Sequence, residues 1–244
     1  MKRDTRGGYN RKSINENFFK TWTPSMAYVL GFMYADGTIV DSYKSSRAYY
    51  ISFSSNDFQI LSDIKEVLRS KHIIYTVAPR ILSHKNTRYI SKTGYVLRLG
   101  NRTMYEDLIK LGLSHRKSLV MSLPSMPDTY FSYYLRGYFD GDGCISITKV
   151  TSTSNRIRVV FTSGSTVFLS QLATSICRLI DVPLPHYYKS VGAFNLVLSG
   201  NAAIKVLDYL YNNIELSPSL KRKRKIYCDF LENSSKFNKL PVIT

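Results

Sequence analysis

Two stretches of the sequence, Val29–Gly37 (VLGFMYADG) and Leu135–Gly143 (LRGYFDGDG), carry the same pattern of small residues and carboxylates. The stretches align position by position when Gly31 is placed on Gly137. The matching pairs are then Ala35 with Gly141, Asp36 with Asp142, Gly37 with Gly143 and Ile39 with Ile145. Self-similarity at two places in one chain predicts a duplicated structural unit.

Each copy is predicted to form a helix that runs directly into a strand. Pro24 suits the first position of the first helix behind Thr23, and Gly37 and Gly143 stand where the two helices should end. Small residues recur every four positions, so each helix has one face with almost no side chains. These residues are Ala27, Gly31 and Ala35 in the first copy and Gly137 and Gly141 in the second. We expect the two helices to pack at short range through these faces.

Close packing of the helices would bring their C-terminal ends together, and with them Asp36 and Asp142. Two carboxylates at that distance repel each other, and the negative ends of both helix dipoles add to the repulsion. A divalent cation beside the acids would offset it, and hard oxygen ligands suit Mg²⁺. The alternative for each acid is a common turn element, an Asp before a Gly at a helix end, but two matching copies favour the metal site.

The two motifs resemble those of the single-chain LAGLIDADG homing endonucleases, whose name spells out the pattern. The resemblance extends to Phe18–Gly37 (FFKTWTPSMAYVLGFMYADG) and to Leu111–Ser118 (LGLSHRKS), and it covers nearly the whole chain. It implies an α+β fold and a monomer of two pseudo-symmetric αββαββα repeats. Their antiparallel, saddle-shaped sheets would be packed through a central pair of motif helices.

The resemblance also implies one metal-dependent, DNA-cleaving site at the helix pair. Asp36 and Asp142 match the acids that bind the divalent cation, most simply Mg²⁺, and the carbonyls of Ala35 and Gly141 match their backbone neighbours. The sixth motif position is often acidic in the family, and Asp140 fits this pattern. The first copy departs from it with a tyrosine, which we expect to affect the packing of the helix end more than the metal site.

Lysines near the site are a further expectation from the resemblance. Lys117 resembles the site-proximal lysine of the family, and its counterpart should lie in Ser219–Lys225 (SLKRKRK), where Lys221 and Lys223 are both candidates. The alternative for this run is a phosphate clamp or a solvated basic cluster. A polar residue that follows the second strand in the family has three candidates here, Ser54, Ser55 and Asn56.

The composition favours a polyanionic partner such as double-stranded DNA. The chain has 34 Lys and Arg against 17 Asp and Glu, a net charge of +17 that both halves share, so binding should weaken steeply with salt. The sequence contains no long apolar run and no apolar signal region near its start, which predicts a soluble protein of the cytoplasm, nucleoid or organelle matrix. The three cysteines and four histidines have no metal-ligand spacing.

The duplication continues beyond the motifs, because Ile51–Leu61 (ISFSSNDFQIL) aligns with Val159–Leu169 (VVFTSGSTVFL). The predicted strands are 38–40, 48–53, 76–82, 95–99, 144–149, 156–161, 186–190 and 194–198. The predicted helices after each motif are 57–70, 104–111, 167–180 and 202–212. The predicted organisation is a basic arm at 1–22, a first repeat at 23–113, a linker at 114–130, a second repeat at 131–232 and a tail at 233–244. Asp128 or Thr129 is expected to begin the second motif helix.

Strand alternation predicts which residues contact DNA, because successive side chains point to opposite faces of a sheet. The predicted buried residues are Leu97, Leu99, Ile145, Ile147, Ile157, Val159 and Phe161. The predicted DNA-binding residues are Arg80, Lys85, Arg88, Arg98, Ser146, Thr148, Arg156, Arg158 and Lys189. Each of these residues has a solvated strand face as its alternative, and the sequence does not separate phosphate contacts from base contacts.

The sequence therefore predicts a site-specific DNA endonuclease that makes a metal-dependent double-strand break at a long asymmetric target. By resemblance, the break would leave short 3′ overhangs and serve the homing of an intron or intein. Two alternatives on the same fold are a maturase that binds intron RNA and a DNA-binding regulator without catalysis. Both acids are present, which argues against the inactive regulator but does not exclude the maturase.

Overall fold

The computed structural model describes residues 12–46, 48–84, 87–115, 120–151 and 154–237, and it confirms the predicted α+β class with antiparallel sheets. The helices are α1 (Pro24–Asp36), α2 (Tyr43–Ser46), α3 (Phe58–Val67), α4 (Arg102–Lys110), α5 (Phe131–Asp142), α6 (Thr166–Ile180), α7 (Asn201–Tyr211) and α8 (Lys221–Phe237). The strands are β1 (Gly37–Ser42), β2 (Ala48–Ser55), β3 (Ile74–Val77), β4 (Ile81–His84), β5 (Thr87–Ile90), β6 (Gly94–Gly100), β7 (Gly143–Lys149), β8 (Asn155–Ser163), β9 (Tyr187–Lys189) and β10 (Phe194–Ser199).

The two large sheets have the same strand order. One runs β1-β2-β6-β3 and the other β7-β8-β10-β9, and both follow the element order helix, two strands, helix, two strands, helix. The short helix α2 and the hairpin β4–β5 are additions to this order in the first half. The equal order is what a duplicated unit produces.

Packing divides the described chain into two compact units. One comprises the described residues of Met1–Thr21 and Thr38–Asp107, and the other those of Trp22–Gly37 and Leu108–Thr244. Helix α1 belongs to the second unit because it packs along α5. The predicted repeat and linker boundaries describe the sequence duplication, and they stay a prediction.

The first unit buries one face of its sheet under α3. Leu97 and Leu99 of β6 are buried while Arg98 between them is exposed, as the alternation predicts. The predicted strand at 76–82 is wrong, since β3 ends at Val77 and the separate hairpin β4–β5 follows. Pro79 lies in the gap, and a proline has no N–H to donate to a strand ladder.

The second unit covers the inner face of its sheet with α6 and α7. Ile157, Val159 and Phe161 of β8 are fully buried, and Ile145 of β7 is nearly so. The expected burial of Ile147 is wrong, because this side chain is 41% exposed. It lies in the outer half of an edge strand, where every residue from Ile147 onward is exposed.

Helix ends follow the sequence in most places. Thr23 caps α1, its side chain accepting a hydrogen bond from the backbone N of Met26 at 3.1 Å, and Pro24 is the first helical residue. A 3₁₀ turn at Asp128–Tyr130 leads into α5, where a start at residue 128 or 129 is predicted. Helix α8 is not among the predicted helices, and it extends five residues into the predicted tail. In the described part of the chain, no helix combines the length and apolar character needed to span a bilayer.

Candidate active site at the paired helix ends

Helices α1 and α5 meet through two glycines that contact each other's helix backbone. A Cβ added to Gly31 would lie 2.0 Å from the carbonyl oxygen of Tyr134, and one added to Gly137 would lie 2.0 Å from that of Tyr28. No side chain can occupy either position at this separation. The predicted short-range packing of the helix pair is confirmed.

The packing places the two motif acids at neighbouring helix ends. Asp36 is the last residue of α1 and Asp142 the last of α5. A Cβ on Gly141 would lie 2.3 Å from the Cβ of Ala35 and 3.3 Å from Oδ2 of Asp36. Burial raises the pKa of the Tyr138 phenol, and the charges of Asp142 and Asp36 raise it further. The negative charges of both carboxylates therefore raise the pKa of the same side chain, Tyr138.

The glycines that follow the acids are needed for space and not for a left-handed turn. Gly37 has φ −88° and Gly143 has φ −92°, which any residue can adopt. A Cβ on Gly37 would lie 2.6 Å from the carbonyl oxygen of Met33, and one on Gly143 would lie 2.4 Å from that of Phe139. The chain can therefore pass from helix to strand without a loop, which fixes the direction of each acid.

The donor groups at the helix ends fit a divalent cation. The carboxylates of Asp36 and Asp142 and the carbonyls of Ala35 and Gly141 are all oxygen donors on half-buried residues. Hard cations such as Mg²⁺ and Ca²⁺ prefer this donor set and often complete it with water. The described residues contain no group of three or more His, Cys, Asp or Glu suited to a metal.

Lys223 is buried against the end of α5. Its Nζ donates hydrogen bonds to the carbonyl oxygens of Phe139 at 2.5 Å, Asp140 at 3.0 Å and Gly143 at 2.5 Å. Burial lowers the pKa of this ammonium to about 8, while negative charges, that of Asp36 among them, act in the opposite direction. The lysine thus places a positive charge at the negative end of a helix dipole, beside the motif acids.

The other residues that the sequence predicts near the acids lie in different parts of the chain. Lys221, the other candidate of the basic run, is exposed at the first position of α8. Lys117 lies outside the described residues, so its predicted role stays a prediction. The three polar candidates after the second strand, Ser54, Ser55 and Asn56, belong to the first unit.

Asp140, at the sixth motif position, is a buried hydrogen-bond acceptor. Its Oδ2 accepts from the hydroxyl of Tyr28 and from the backbone N of Leu220, each at 2.8 Å. Burial raises the pKa of the carboxyl to about 6, against the effect of these hydrogen bonds and of the Lys223 and Arg136 charges. The side chain therefore ties α5 to both α1 and the start of α8.

Tyr34 stands at the same motif position in the first copy and makes a different contact. Its hydroxyl donates to the carbonyl oxygen of Leu111 at 2.7 Å. The adjacent Gly112 has φ +92°, and a Cβ there would lie 2.7 Å from the Tyr34 hydroxyl oxygen. The tyrosine thus holds the chain just after α4.

Arg136 is a buried residue that is not among the sequence-based predictions. It is fully buried in α5, and its Nη1 donates to the carbonyl oxygen of Leu210 at 2.6 Å while Nη2 donates to the Ser217 hydroxyl. It satisfies a carbonyl at the C-terminal end of α7. Its burial could be predicted from the alignment of the copies, because Arg136 aligns with the apolar Leu30, which is fully buried in α1.

Four predicted DNA-binding residues share one face of the second sheet. Ser146 pairs with Arg158 and Thr148 with Arg156 across β7 and β8, and paired residues lie on the same face. Both arginines are exposed, and Nη2 of Arg158 donates to the hydroxyl of Tyr188 at 2.5 Å. We call these four residues and Tyr188 the outward face of the second sheet. Tyr188, which orients the arginine, is not among the predicted residues.

Lys189 lies on the other face of this sheet. It pairs with Phe194, which pairs in turn with the buried Ser163. Its neighbour Tyr188 points the opposite way, toward Arg158. The structure therefore separates Lys189 from the arginines with which it is grouped in the sequence-based prediction.

The first sheet and its hairpin carry the remaining predicted residues. The Arg98 guanidinium lies 3.9 Å above the centre of the Tyr50 ring, a cation–π contact on the exposed face. Arg80 precedes β4 and Arg88 lies on β5, and both are exposed. Lys85 lies outside the described residues. In both sheets, then, a tyrosine orients an exposed arginine.

Comparison with known proteins finds the same fold among solved structures. No family model and no curated protein matches the chain. Mesophilic variants of the homing endonuclease I-DmoI match 88% of this chain and 99% of theirs at 14% identity and a TM-score of 0.54. The LAGLIDADG homing endonuclease I-GzeII in complex with its DNA target matches 91% and 94% at 12% identity and a TM-score of 0.54. I-SmaMI bound to uncleaved target DNA in the presence of calcium ions matches 89% and 94% at 12% identity and a TM-score of 0.51. At these identities the likeness is one of fold.

Proposed function

We propose that this chain, which has the fold of the single-chain LAGLIDADG homing endonucleases, is a site-specific DNA endonuclease that makes a double-strand break. The observation that carries the proposal is the placement of Asp36 and Asp142 at two helix ends that touch through glycine. A shared fold hosts many functions, so the proposal depends on these residues and not on the fold alone.

In the proposed reaction, Asp36 and Asp142 hold divalent cations, most simply Mg²⁺, each for the cut on one strand. The cation would activate water and stabilise the leaving oxygen of the phosphodiester. The carbonyls of Ala35 and Gly141 lie at the same helix ends and would complete the set of oxygen ligands that the protein offers the cation. Lys223 would supply a fixed positive charge to the transition state, which develops negative charge. Lys117 is the proposed counterpart for the other strand.

The outward face of the second sheet and the exposed arginines of the first are the proposed DNA contacts. Arginine can bind guanine or phosphate in bidentate geometry, and an aromatic partner limits the number of orientations it samples. Several solved proteins of the same fold are bound to DNA, and this chain matches more than nine-tenths of the length of each, which supports a monomer acting on a long asymmetric duplex. Homing of an intron or intein is the biological role that we propose.

The test is cleavage of a randomised duplex library by the purified chain, followed by sequencing of the cut ends. With Mg²⁺ we expect enrichment of one long site, and with Ca²⁺ binding with little cutting. Asp36→Asn and Asp142→Asn should each lower double-strand cutting by at least about a hundredfold, since each removes a charged metal ligand.

Asp181→Asn is the matched control, because Asp181 is an exposed carboxylate after α6 with φ +53°, a conformation that Asn also tolerates. Its cutting should equal that of the wild type. Binding of DNA without cutting would favour the regulator, and tighter binding of structured intron RNA than of duplex DNA would favour the maturase.

A further inference from the structure

The hairpin β4–β5 is an addition that the fold of the repeat does not need. In the second sheet, residues 190–193 connect β9 directly to β10, and the backbone N of Ser190 donates to the carbonyl oxygen of Ala193 at 2.8 Å. In the first sheet, the equivalent connection between β3 and β6 runs over residues 78–93 and contains the hairpin. Both sheets have the same strand order, so the longer connection is not required to form the first one. Long connections in compact folds usually have a function.

The hairpin is closed at its base by its own residues. The backbone N of Arg80 donates to the Ser91 hydroxyl at 3.0 Å, and the backbone N of Ser91 donates to the carbonyl oxygen of Arg80 at 2.9 Å. Beyond this closure the strands pair antiparallel, beginning with Ile81 opposite Ile90. The hairpin is therefore a two-stranded ribbon with hydrogen bonds of its own at its base.

A pair of exposed isoleucines lies on one face of this ribbon. Ile81 is 70% exposed and Ile90 is 73% exposed. Because they stand directly opposite each other, their Cβ atoms lie about 5 Å apart and the two side chains form one apolar patch. Apolar surface is unfavourable in water in proportion to its area. A partner that offers apolar groups of its own would cover the patch.

The surrounding residues favour a nucleic acid as this partner. Ser83 pairs with Arg88, and strand alternation places this pair on the same face as the isoleucines. Both Arg88 and Arg80 are exposed, and the sequence from Arg80 to Ser91 contains no Asp or Glu. A cationic ribbon on a chain with a net charge of +17 attracts a polyanion.

The shape and the chemistry of the ribbon fit the major groove of B-DNA. The groove is wide enough for a two-stranded β-ribbon, and the C5-methyl group of thymine is its apolar feature, which apolar side chains recognise. Arginine on the same face can bind guanine or phosphate. Leu82 and Tyr89 lie on the opposite face of the ribbon, which has no arginine in the two described strands.

We infer that the face of the hairpin with Ile81 and Ile90 enters the major groove and recognises the C5-methyl groups of thymine, while Arg88 binds an adjacent guanine or phosphate. The inference rests on the proposed function and deepens it, because it names the base feature that this hairpin recognises. Ile81 and Ile90 are then specificity-determining residues for thymine.

Replacement of thymine by uracil tests the inference, because the two bases differ only by the methyl group. Each thymine of the target duplex is replaced in turn by uracil, and binding is measured by fluorescence anisotropy in Ca²⁺. Uracil at one or two positions should weaken binding about threefold or more, the loss expected for a covered methyl group. In the double variant Ile81→Ser, Ile90→Ser the same replacements should have no effect, since the side chains that cover the methyl groups are gone.

Two further variants separate recognition of the methyl group from a general loss of binding. Leu82→Ser is the matched control, because it removes an apolar side chain from the opposite face of the same hairpin. It should keep the sensitivity to uracil, and a loss of this sensitivity in Leu82→Ser would overturn the assignment of the face. Arg88→Ala should weaken binding of the thymine and uracil duplexes by the same factor, because it leaves the isoleucines in place.

Binding that uracil does not weaken at any position would overturn the inference, and so would an equal loss for the wild type and the double isoleucine variant. A dimer in analytical ultracentrifugation that the double variant abolishes would assign the patch to a second copy of the chain and would also overturn it. A wild-type chain that cuts its target but is insensitive to uracil would refute only the inference. A chain that binds and cuts no duplex would refute the proposed function, and the inference would fall with it.

Discussion

Two buried cations, Lys223 and Arg136, are directed at the carbonyl ends of helices. Lys223 bonds to carbonyls at the end of α5, and Arg136 bonds to a carbonyl at the end of α7. An unpaired buried charge is costly, but the orphan carbonyls of a helix end and the helix dipole compensate part of that cost. These residues therefore join neighbouring helices and carry positive charge into the interior of the second unit.

The lowered pKa of Lys223 predicts a pH dependence of stability. Its pKa is about 8 in the folded protein, against an ordinary lysine value of 10.5 once the chain unfolds. Between these values the unfolded chain binds more protons, so the contribution of Lys223 to the free energy of unfolding rises with pH. We expect the free energy of unfolding of the wild type, relative to Lys223→Met, to increase between about pH 7.5 and pH 10 in urea titrations.

Lys225→Met is the control for this comparison, since Lys225 is exposed on the same helix and bonds to Asp229. Its difference from the wild type should not rise over this pH range. A Lys223→Met difference that stays constant or falls with pH would show that the lysine is not held in a desolvated site.

At the scale of elements, the helix pair depends on two missing side chains. Gly31 and Gly137 each face a carbonyl oxygen of the other helix at a distance that excludes a Cβ. The obstacle is backbone, which cannot rotate away as a side chain can. The separation of α1 and α5, and with it the distance between the motif acids, is therefore set at these two contacts.

Gly31→Ala and Gly137→Ala should each lower the free energy of unfolding by at least about 3 kcal/mol, the upper part of the usual range for overpacked sites. Chemical denaturation of each variant measures the loss. Gly94→Ala is the control, because a Cβ there would meet its nearest atom at an ordinary 3.7 Å. A loss at Gly31 or Gly137 no larger than at Gly94 would mean that the helices can separate at little cost.

The sequence predicts the elements well wherever local signals decide them. Thr23 and Pro24 mark the start of α1, and the alternation around Leu97 marks β6 correctly. The predictions fail where contacts with other elements determine the structure. The segment around Pro79 does not continue strand β3, and Ile147 is exposed because it lies in the outer half of an edge strand. Helix α8 begins in a run of basic residues, which has the composition of a solvated segment and shows no apolar periodicity over that run.

The candidate site is predicted in part. The pairing of Asp36 with Asp142 follows from the duplication once α1 and α5 pack in parallel, because equivalent residues of parallel helices lie at the same end. The choice of Lys223 over Lys221 does not follow, since it depends on which face of α8 turns toward α5. The sequence likewise does not predict the anchoring role of Asp140, because its hydrogen-bond partner is the backbone of Leu220, a residue distant in sequence.

At the scale of the whole molecule, the net charge of +17 dominates any encounter with a polyanion. Charge of this size accelerates association and makes affinity depend on counterion release. The outward face of the second sheet places two exposed arginines on one surface, whereas Lys189 lies on the opposite face. We therefore expect the former surface, and not the face that carries Lys189, to contribute several contacts to one duplex.

The logarithm of the DNA-binding constant should therefore fall linearly in a plot against the logarithm of the salt concentration. Arg156→Ala and Arg158→Ala should each lower the affinity for DNA. An arginine that binds phosphate should change the slope of this plot by about one unit when it is removed, and an arginine that binds a base should relax the preference at one base pair. Lys189→Ala should change neither quantity. Fluorescence anisotropy over a salt series measures both, and an effect of Lys189→Ala as large as that of Arg158→Ala would contradict the assignment of faces.

The contact between Gly31 and Gly137 also bears on how the two copies can diverge. The close approach depends on the absence of two side chains, and the Tyr28–Asp140 hydrogen bond is a matched pair that joins the same helices, so substitutions that avoid these residues need no partner substitution to preserve the contact. The copies already differ at Leu30 and Arg136 and at Tyr34 and Asp140, yet the helices still meet. An interface of this kind lets the two repeats change separately at most other positions, and under the proposed function each repeat can then acquire its own preference for one half of an asymmetric target.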